Sequence, residues 1–292
     1  FIDNSDIEAV VKALKSDFLT QGPRILEFEN AFSEYVESNY ACAVTNGTSA
    51  LHLCALALGV KKGTKVICPS ITFAASANCI RYCGGEVIFC DIDPETYLID
   101  LNQVDEIFKT EKDVSGVVSV DFAGRAVNLE NLKKITDKYN AWIIQDSCHS
   151  PGGYFINSSE EIQKCGNGRY ADLSIFSFHP VKHIACGEGG MITTNNKFLY
   201  EKISILRTHG ITKDPSKFVI DNPYFKNNDY PLWYYEMHKL GYNYRLTDIQ
   251  ASLGISQLKK AEKGILRRRK IAEKYNDQFQ NKNWIKDYIF WE

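Results

Sequence analysis

At 292 residues the chain has room for one large domain or two modest ones. Its 44% hydrophobic and 24% charged residues are the composition of a soluble globular protein, and a formal net charge of −2 offers no electrostatic footprint for nucleic acid. No apolar run approaches a membrane span and no charged-then-apolar leader opens the sequence, so neither nucleic acid nor membrane is expected as a partner and the expected location is the cytoplasm.

Apolar spacing predicts a helix in SDIEAVVKAL, capped at Ser5, and a second in PRILEFENAFSEYV, where Pro23 suits the first turn. YACAVT reads as a strand that passes through the small-residue turn NGTSA into a buried helix stopped at Gly59. The alternation continues with the strand TKVICPS, the helix AASANCIRYCG ending at Gly84, and the strand EVIFCDID. The strands VSGVVSVDF and AWIIQDS follow, with the helix NLENLKKITDKYN between them. Strands this continuously apolar belong in a parallel sheet covered on both faces, and ligands of such sheets bind beyond the carboxyl ends of the strands.

DLSIFSFHP and GGMITTNN predict a later strand pair. From about Thr212 to Leu240 aromatics, Pro and Asn crowd a segment with little periodicity, which reads as an irregular functional loop. RLTDIQASLGISQLKKAEKGILRRRKIAEKYNDQF is a long helical pattern, expected to break near Gly254 or Gly264. The nine cysteines contain no C-x-x-C pair and lie mostly in apolar runs, so they are expected as reduced core residues, with neither a metal site nor a disulfide framework.

Four features fall where strand ends converge. Gly47, Thr48 and Ser49 open a helix, where free amides and two hydroxyls suit a phosphate; an ordinary N-cap explains them equally well. Asp146 ends an apolar strand with His149 three residues on; it can hold a positive charge in a pocket or cap a helix. Lys182 lies between a strand and the cluster GEGG, in the company of Ser177 and His179. A surface turn is the ordinary place for a lysine, whereas one that bonds covalently to a carbonyl must be the neutral amine, which burial and nearby positive charge favour. Asn243 and Arg245, in GYNYRLTD, are polar residues just before a helix and would otherwise be plain loop residues.

Together NGTSAL, QDSCHSPG, FSFHPVKHIACGEGGM and LGYNYRLTDIQASLGISQL resemble the DegT/DnrJ-type sugar aminotransferases, over residues from about 5 to 275. The resemblance implies an α/β fold of the fold-type I class. Its large domain has a mainly parallel seven-stranded sheet between helices, followed by a small C-terminal domain of which this sequence has only part. The corresponding divisions are an N-terminal segment over 1–20, a large domain binding pyridoxal 5'-phosphate over 21–240, and the start of the small domain over 241–292. It also implies that Lys182 carries the cofactor covalently and moves protons, that Asp146 pairs with the ring nitrogen, and that His149 lies near the phenolic oxygen. Thr48, Ser49 and Ser177 would bind the phosphate, Phe73 would stack on the ring, and Asn243 would reach the partner subunit's phosphate in a homodimer. No metal is implied.

SVDFAGRAVNLENL and PLWYYEMHKLGYNYR further resemble the branch of that family that makes pseudaminic acid precursors, within polysaccharide biosynthesis. That branch moves an amino group from L-glutamate to the 4-keto carbon of a UDP-linked 4-keto-6-deoxy N-acetyl amino sugar. A dTDP- or GDP-linked keto sugar is the alternative substrate. A dehydratase of the same fold carries histidine in place of the lysine, and the register gives that position to Lys182 rather than to His179 or His183. A non-catalytic sugar-binding or regulatory protein would have no need of the amine.

Overall fold

The computed structural model describes residues 1–220 and 230–279. Helix α1 (Asn4–Leu14) is capped by Asp3, two residues before the expected cap Ser5: the Asp3 side chain accepts from the amides of Ser5 and Asp6, and the Asp6 carboxylate accepts from the Asp3 amide. An aspartate reaches two amides at once where Ser5 would reach one, and the reciprocal carboxylate completes a capping box. Helix α2 (Pro23–Val36) starts on its proline, as expected.

Strand β1 (Tyr40–Val44) leads into α3 (Gly47–Ala57), β2 (Lys65–Pro69), α4 (Ala74–Tyr82), β3 (Glu86–Cys90), α5 (Leu101–Thr110), β4 (Val114–Val120), α6 (Leu129–Thr136) and β5 (Trp142–Asp146). A short hairpin of β6 (Tyr154–Ile156) and β7 (Ile162–Lys164) follows, then β8 (Leu173–Ser177), β9 (Gly190–Thr194) and α7 (Lys197–Arg207). Helices α5 and α7 and the hairpin add to the elements expected from sequence.

Seven strands form one sheet in the order β1-β9-β8-β5-β4-β2-β3. Pairing is antiparallel only where β9 lies between β1 and β8; every other neighbour is parallel. Alternate residues of each strand enter different cores. Val66, Cys68 and Ile144 face α3, α4 and α7, whereas Ile67 and Ile143 face α5 and α6. Ala41, Ala43 and Met191 pack beneath Phe28 and Phe32 of α2. With both faces covered, the strands need no polar alternation, which is why they read as continuous apolar runs.

The nine cysteines are free, seven of them buried. Burial pushes the Cys42 thiol up to about 11 and the Cys68 thiol up to about 12, so these behave as small apolar fillers.

Within the aromatic loop, residues 221–229 lie outside the described residues. What flanks them is knotted on the buried carboxylate of Glu236, which accepts from the amides of Val219 and Ile220 and from Tyr234, and pairs with His238. Strands β10 (Ile211–Thr212) and β11 (Glu236–Met237) close its base.

Helix α8 (Asp248–Leu258) packs on α1 and α2, and α9 (Ala261–Phe279) follows after Lys259 and Lys260. The break therefore falls between the two expected glycines, both of which lie inside helices. Asp248 ties this packing together. Fully buried, its carboxylate accepts from the amides of Gly22 (2.8 Å) and Arg24 (2.9 Å) and caps α2 from a distant part of the chain. Residues 280–292, the end of the expected small domain, lie outside the described residues.

Candidate active site

Strands β1, β2, β4, β5 and β8 all end at one edge of the sheet, and a cavity of about 580 Å³ opens there. A cavity at this edge follows from the topology, since the loops leaving parallel strands diverge beyond their carboxyl ends.

Asp146 is the last residue of β5 and is only 6% exposed. Its Oδ2 accepts from the Ser76 hydroxyl at 2.7 Å and its Oδ1 from the Cys148 amide at 3.2 Å. Thr72 in turn donates to Ser76 at 2.8 Å, so two hydroxyls leaving β2 are relayed onto the carboxylate. A buried carboxylate with so few donors is prepared for a further cationic partner on its cavity side.

His149, half-buried, lines the same cavity. Burial lowers its pKa below the ordinary imidazole value, and the Lys182 ammonium pushes it the same way, against Asp146, which pulls it up. Next to it, burial and the Asp146 carboxylate hold the Cys148 thiol well above its usual range.

Helix α3 points its first turn at the cavity. Asn46 is its N-cap and accepts from both the amide (2.8 Å) and the hydroxyl (2.9 Å) of Ser49. Ser49 is thus buried and tied to its cap, while Asn46, Gly47 and Thr48 line the cavity. The first-turn amides of Gly47 and Thr48 have no acceptor within the helix. A Cβ at Gly47 would sit 3.1 Å from Cβ of Ser177 and 3.3 Å from Sγ of Cys148. A side chain there would crowd the end of β8, where Ser177 lines the cavity too, so glycine lets the helix start close to that strand.

Lys182 lies in a loop that leaves β8 and is pinned at its base. Phe178 donates its amide to Gly189 (2.8 Å), and Cys186 donates its amide to Phe178 (2.8 Å). Phe178, Ile184 and Cys186 are buried in the core beneath it, while the Lys182 amide closes a turn onto His179 O at 2.9 Å. This is how the sequence places a lysine at a strand end: buried apolar residues on either side hold the loop, and Lys182 lines the cavity. His183 is turned away, its Nδ1 buried, and burial lowers its pKa to about 4.

Phe73, N-cap of α4 and 74% exposed, stands over the cavity mouth. Asn243 is brought elsewhere. Exposed, it pairs with Thr208 and lines no part of its own chain's cavity. Arg245 pairs with Val44, and Tyr244 accepts the Thr45 amide at 2.9 Å, so this segment runs beside the end of β1. Thr72, Ser76, Asn46 and Asp121 are polar residues of the site that the linear pattern did not single out. Asp121 carries the clearest signal, a polar residue immediately after an apolar strand, and Asn46 lies two residues beyond another; Thr72 and Ser76 sit further along the chain after β2, with no such mark.

Residues 1–287 match the DegT/DnrJ/EryC1/StrS aminotransferase family. The chain is 39% identical to a Campylobacter jejuni protein named UDP-4-amino-4,6-dideoxy-N-acetyl-beta-L-altrosamine transaminase, over 98% of this chain and 71% of that protein. It is 33% identical to an Escherichia coli O157:H7 GDP-perosamine synthase, over 92% of this chain and 66% of that protein. Among solved structures, PseC of Helicobacter pylori, an aminotransferase involved in the biosynthesis of pseudoaminic acid, superposes with a TM-score of 0.85 at 30% identity, covering 97% of this chain and 70% of that one. A sugar aminotransferase-like structure from Streptococcus pneumoniae, Spr1654 in its PLP form, gives 0.82 at 26% identity over 96% of this chain and 70% of that one. The seven-stranded sheet with its site at the strand ends and the match along almost the whole chain lead to one assignment: this chain belongs to the DegT/DnrJ/EryC1/StrS aminotransferase family.

Proposed function

We propose that this aminotransferase holds pyridoxal 5'-phosphate in the 580 Å³ cavity and moves an amino group from L-glutamate to a nucleotide-linked sugar. The acceptor is the 4-keto carbon of a UDP-linked 4-keto-6-deoxy N-acetyl amino sugar, as a step towards pseudaminic acid. The observation that carries the proposal is the meeting of Lys182 and Asp146 on one cavity beneath the first turn of α3. The names of the Campylobacter and Helicobacter relatives support the substrate.

The residues present fit the cofactor. Asp146 is a buried acceptor for the proton on a ring nitrogen. The Gly47 and Thr48 amides, with the hydroxyls of Thr48 and Ser177, form a cradle for a phosphate at a helix N-terminus. Phe73 covers the ring from the cavity mouth. His149 faces the same space as a neutral imidazole able to hydrogen-bond an oxygen on the ring. Ser49 acts one step removed, by fixing the Asn46 cap.

When bound, the cofactor supplies the electron sink and carries nitrogen between the two substrates. The Lys182 amine would anchor it, and the same amine is placed to take a proton from the glutamate α-carbon as base and to return one as acid. In the return half the same amine delivers a proton to C4 of the sugar, which becomes the amine-bearing carbon.

Asn243, exposed beside the chain, completes the site of a second copy in a homodimer. Residues 21–240 contribute the cofactor cavity. Helix α8, in the stretch read as the start of the small domain, packs on α1 and α2, and its Asp248 caps α2.

Incubation with ¹⁵N-glutamate and a panel of UDP-, dTDP- and GDP-linked 4-keto sugars tests the reading. Label in the UDP-linked amino sugar is expected. Label only in a dTDP- or GDP-linked product moves the assignment to that nucleotide, and label in none overturns it.

A further inference from the structure

Asp121 follows the last residue of β4 and is fully buried, yet it borders the cavity. Its Oδ2 accepts three hydrogen bonds, from Gln145 Nε2 at 2.9 Å, Ser147 Oγ at 2.8 Å and Ser150 Oγ at 2.6 Å. Its Oδ1 accepts from the Val127 amide at 3.0 Å, and its own amide donates to Asp146 O at 3.1 Å. All three Oδ2 donors lie on one short stretch of chain, and between them stand Asp146 and His149. Gln145 extends the hold to β8, since its Oε1 accepts from Ser174 Oγ at 2.9 Å.

The loop after Asp121 presses on the same stretch. Ala123 adopts φ 54° and Gly124 φ 93°, and a Cβ on Gly124 would lie 3.0 Å from the carbonyl oxygen of His149. A left-handed alanine is a strained choice, sustained here by contacts on both sides of the turn. The stretch that carries Asp146 and His149 is therefore bonded to one buried carboxylate and approached closely by a tight turn.

We propose that Asp121 is a positioning residue: it fixes the backbone from 145 to 150 so that Asp146 and His149 meet the cofactor at the right angle and depth, an inference that rests on the cofactor reading above. It makes no bond to the reacting atoms. Its part is preorganisation, which counts because a carboxylate held in place before binding spends no ordering free energy on binding.

An alternative is that Asp121 only stabilises the fold, and the two differ in what they perturb. Asp172 offers the comparison, because its Oδ2 accepts the Ile143 amide at 2.8 Å near the opposite end of β5, away from the cavity. Cofactor-free wild type, Asp121→Asn, the double variant Ser147→Ala/Ser150→Ala and Asp172→Asn are titrated with pyridoxal phosphate by fluorescence, with thermal melts run in parallel. Both site variants are expected to raise the dissociation constant about tenfold, the scale of one or two lost charge-assisted bonds. Asp172→Asn is expected to lower the melting temperature and leave cofactor affinity alone. Wild-type affinity in a folded Asp121→Asn protein and in the double serine variant overturns the proposal, as does equal weakening in Asp172→Asn. If Asp121→Asn does not fold, the serine pair decides. If wild type binds no cofactor, the cofactor reading falls instead, and the NMR titration of His149 in the serine pair decides for Asp121: a midpoint moved up towards the ordinary imidazole value supports the grip, and an unmoved one overturns it.

Discussion

Ser76, in the first turn of α4, donates its hydroxyl to Oδ2 of Asp146 at 2.7 Å, joining the strand-end loops of β2 and β5 across 70 residues of sequence. Both groups are buried, so the bond holds the carboxylate in one orientation with no water to compete. Ser76→Ala removes the donor without adding bulk. Cofactor affinity is expected to fall about fivefold, near 1 kcal/mol for one hydrogen bond, with the fold intact by circular dichroism. A fluorescence titration of the cofactor-free protein measures it.

His149 is expected to titrate below 6.5, because burial and Lys182 both disfavour its imidazolium. The neutral ring is favoured by the folded state, so this residue costs stability as pH falls through 6.5 and the unfolded chain takes up a proton first. Lys182→Met removes one of the two causes, and the His149 midpoint should rise. Two-dimensional NMR of the cofactor-free proteins across pH 4 to 8, a range set about the usual imidazole value, is the check.

The ion pair between Arg207 and Glu29 locks α7 to α2, and both groups also bond β1: Arg207 donates to Ala43 O at 2.7 Å and Glu29 accepts the Ala43 amide at 2.8 Å. Arg207→Met leaves a buried carboxylate without its cation and is expected to cost about 3–5 kcal/mol in denaturant unfolding. Adding Glu29→Gln should recover part of that loss, because the orphaned charge is then gone.

On the opposite side, Lys260 donates to Asp3 and Asp6, fastening α1 to the junction of α8 and α9. Burial pushes the Asp6 carboxyl up, but its bonds from Lys260 and neighbouring groups win and hold it below 3.8. A carboxyl depressed in the folded state lends stability that is complete above its unfolded value and disappears as pH falls through the folded one. Lys260→Met should therefore lower stability at neutral pH and flatten its decline below about pH 4, measured by urea midpoints against pH.

If Asn243 serves the partner's site, activity should be regained by mixing two defective proteins. Dimers of Lys182→Ala and dimers of Asn243→Ala, exchanged together, form hybrids in which one site holds an intact Lys182 and receives an intact Asn243. Activity above that of either parent is the expected outcome in the ¹⁵N assay. Simple averaging of the parents would place Asn243 outside the shared site.

Much of this was legible because continuous apolar runs announce a buried parallel sheet, and the residue after such a run must lie at its carboxyl edge. Asp146, Ser177 and the approach to Lys182 could be read that way. The break between α8 and α9 could not, since glycines at 254 and 264 look like interruptions until Gly254 is seen against the Phe28 ring. Ser49 shows a different limit: the bond from its hydroxyl to the Asn46 side chain depends on the direction of the cap, which a linear sequence does not carry. Asp121 was hidden for a third reason. Its partners lie 24 to 29 residues away on β5 and beyond, and one sequence carries no register between β4 and β5. The Asp121 donors thus emerge only once Val120 is paired with Asp146.

On the proposed reading, Lys182 is the amine on which the cofactor is carried. Reducing the cofactor-loaded protein with borohydride, digesting it and sequencing the labelled peptide by mass spectrometry addresses that claim directly. The pyridoxyl mass is expected on Lys182 alone, and none in Lys182→Ala. Label on another lysine, or a loaded protein that takes no label at Lys182, would contradict it.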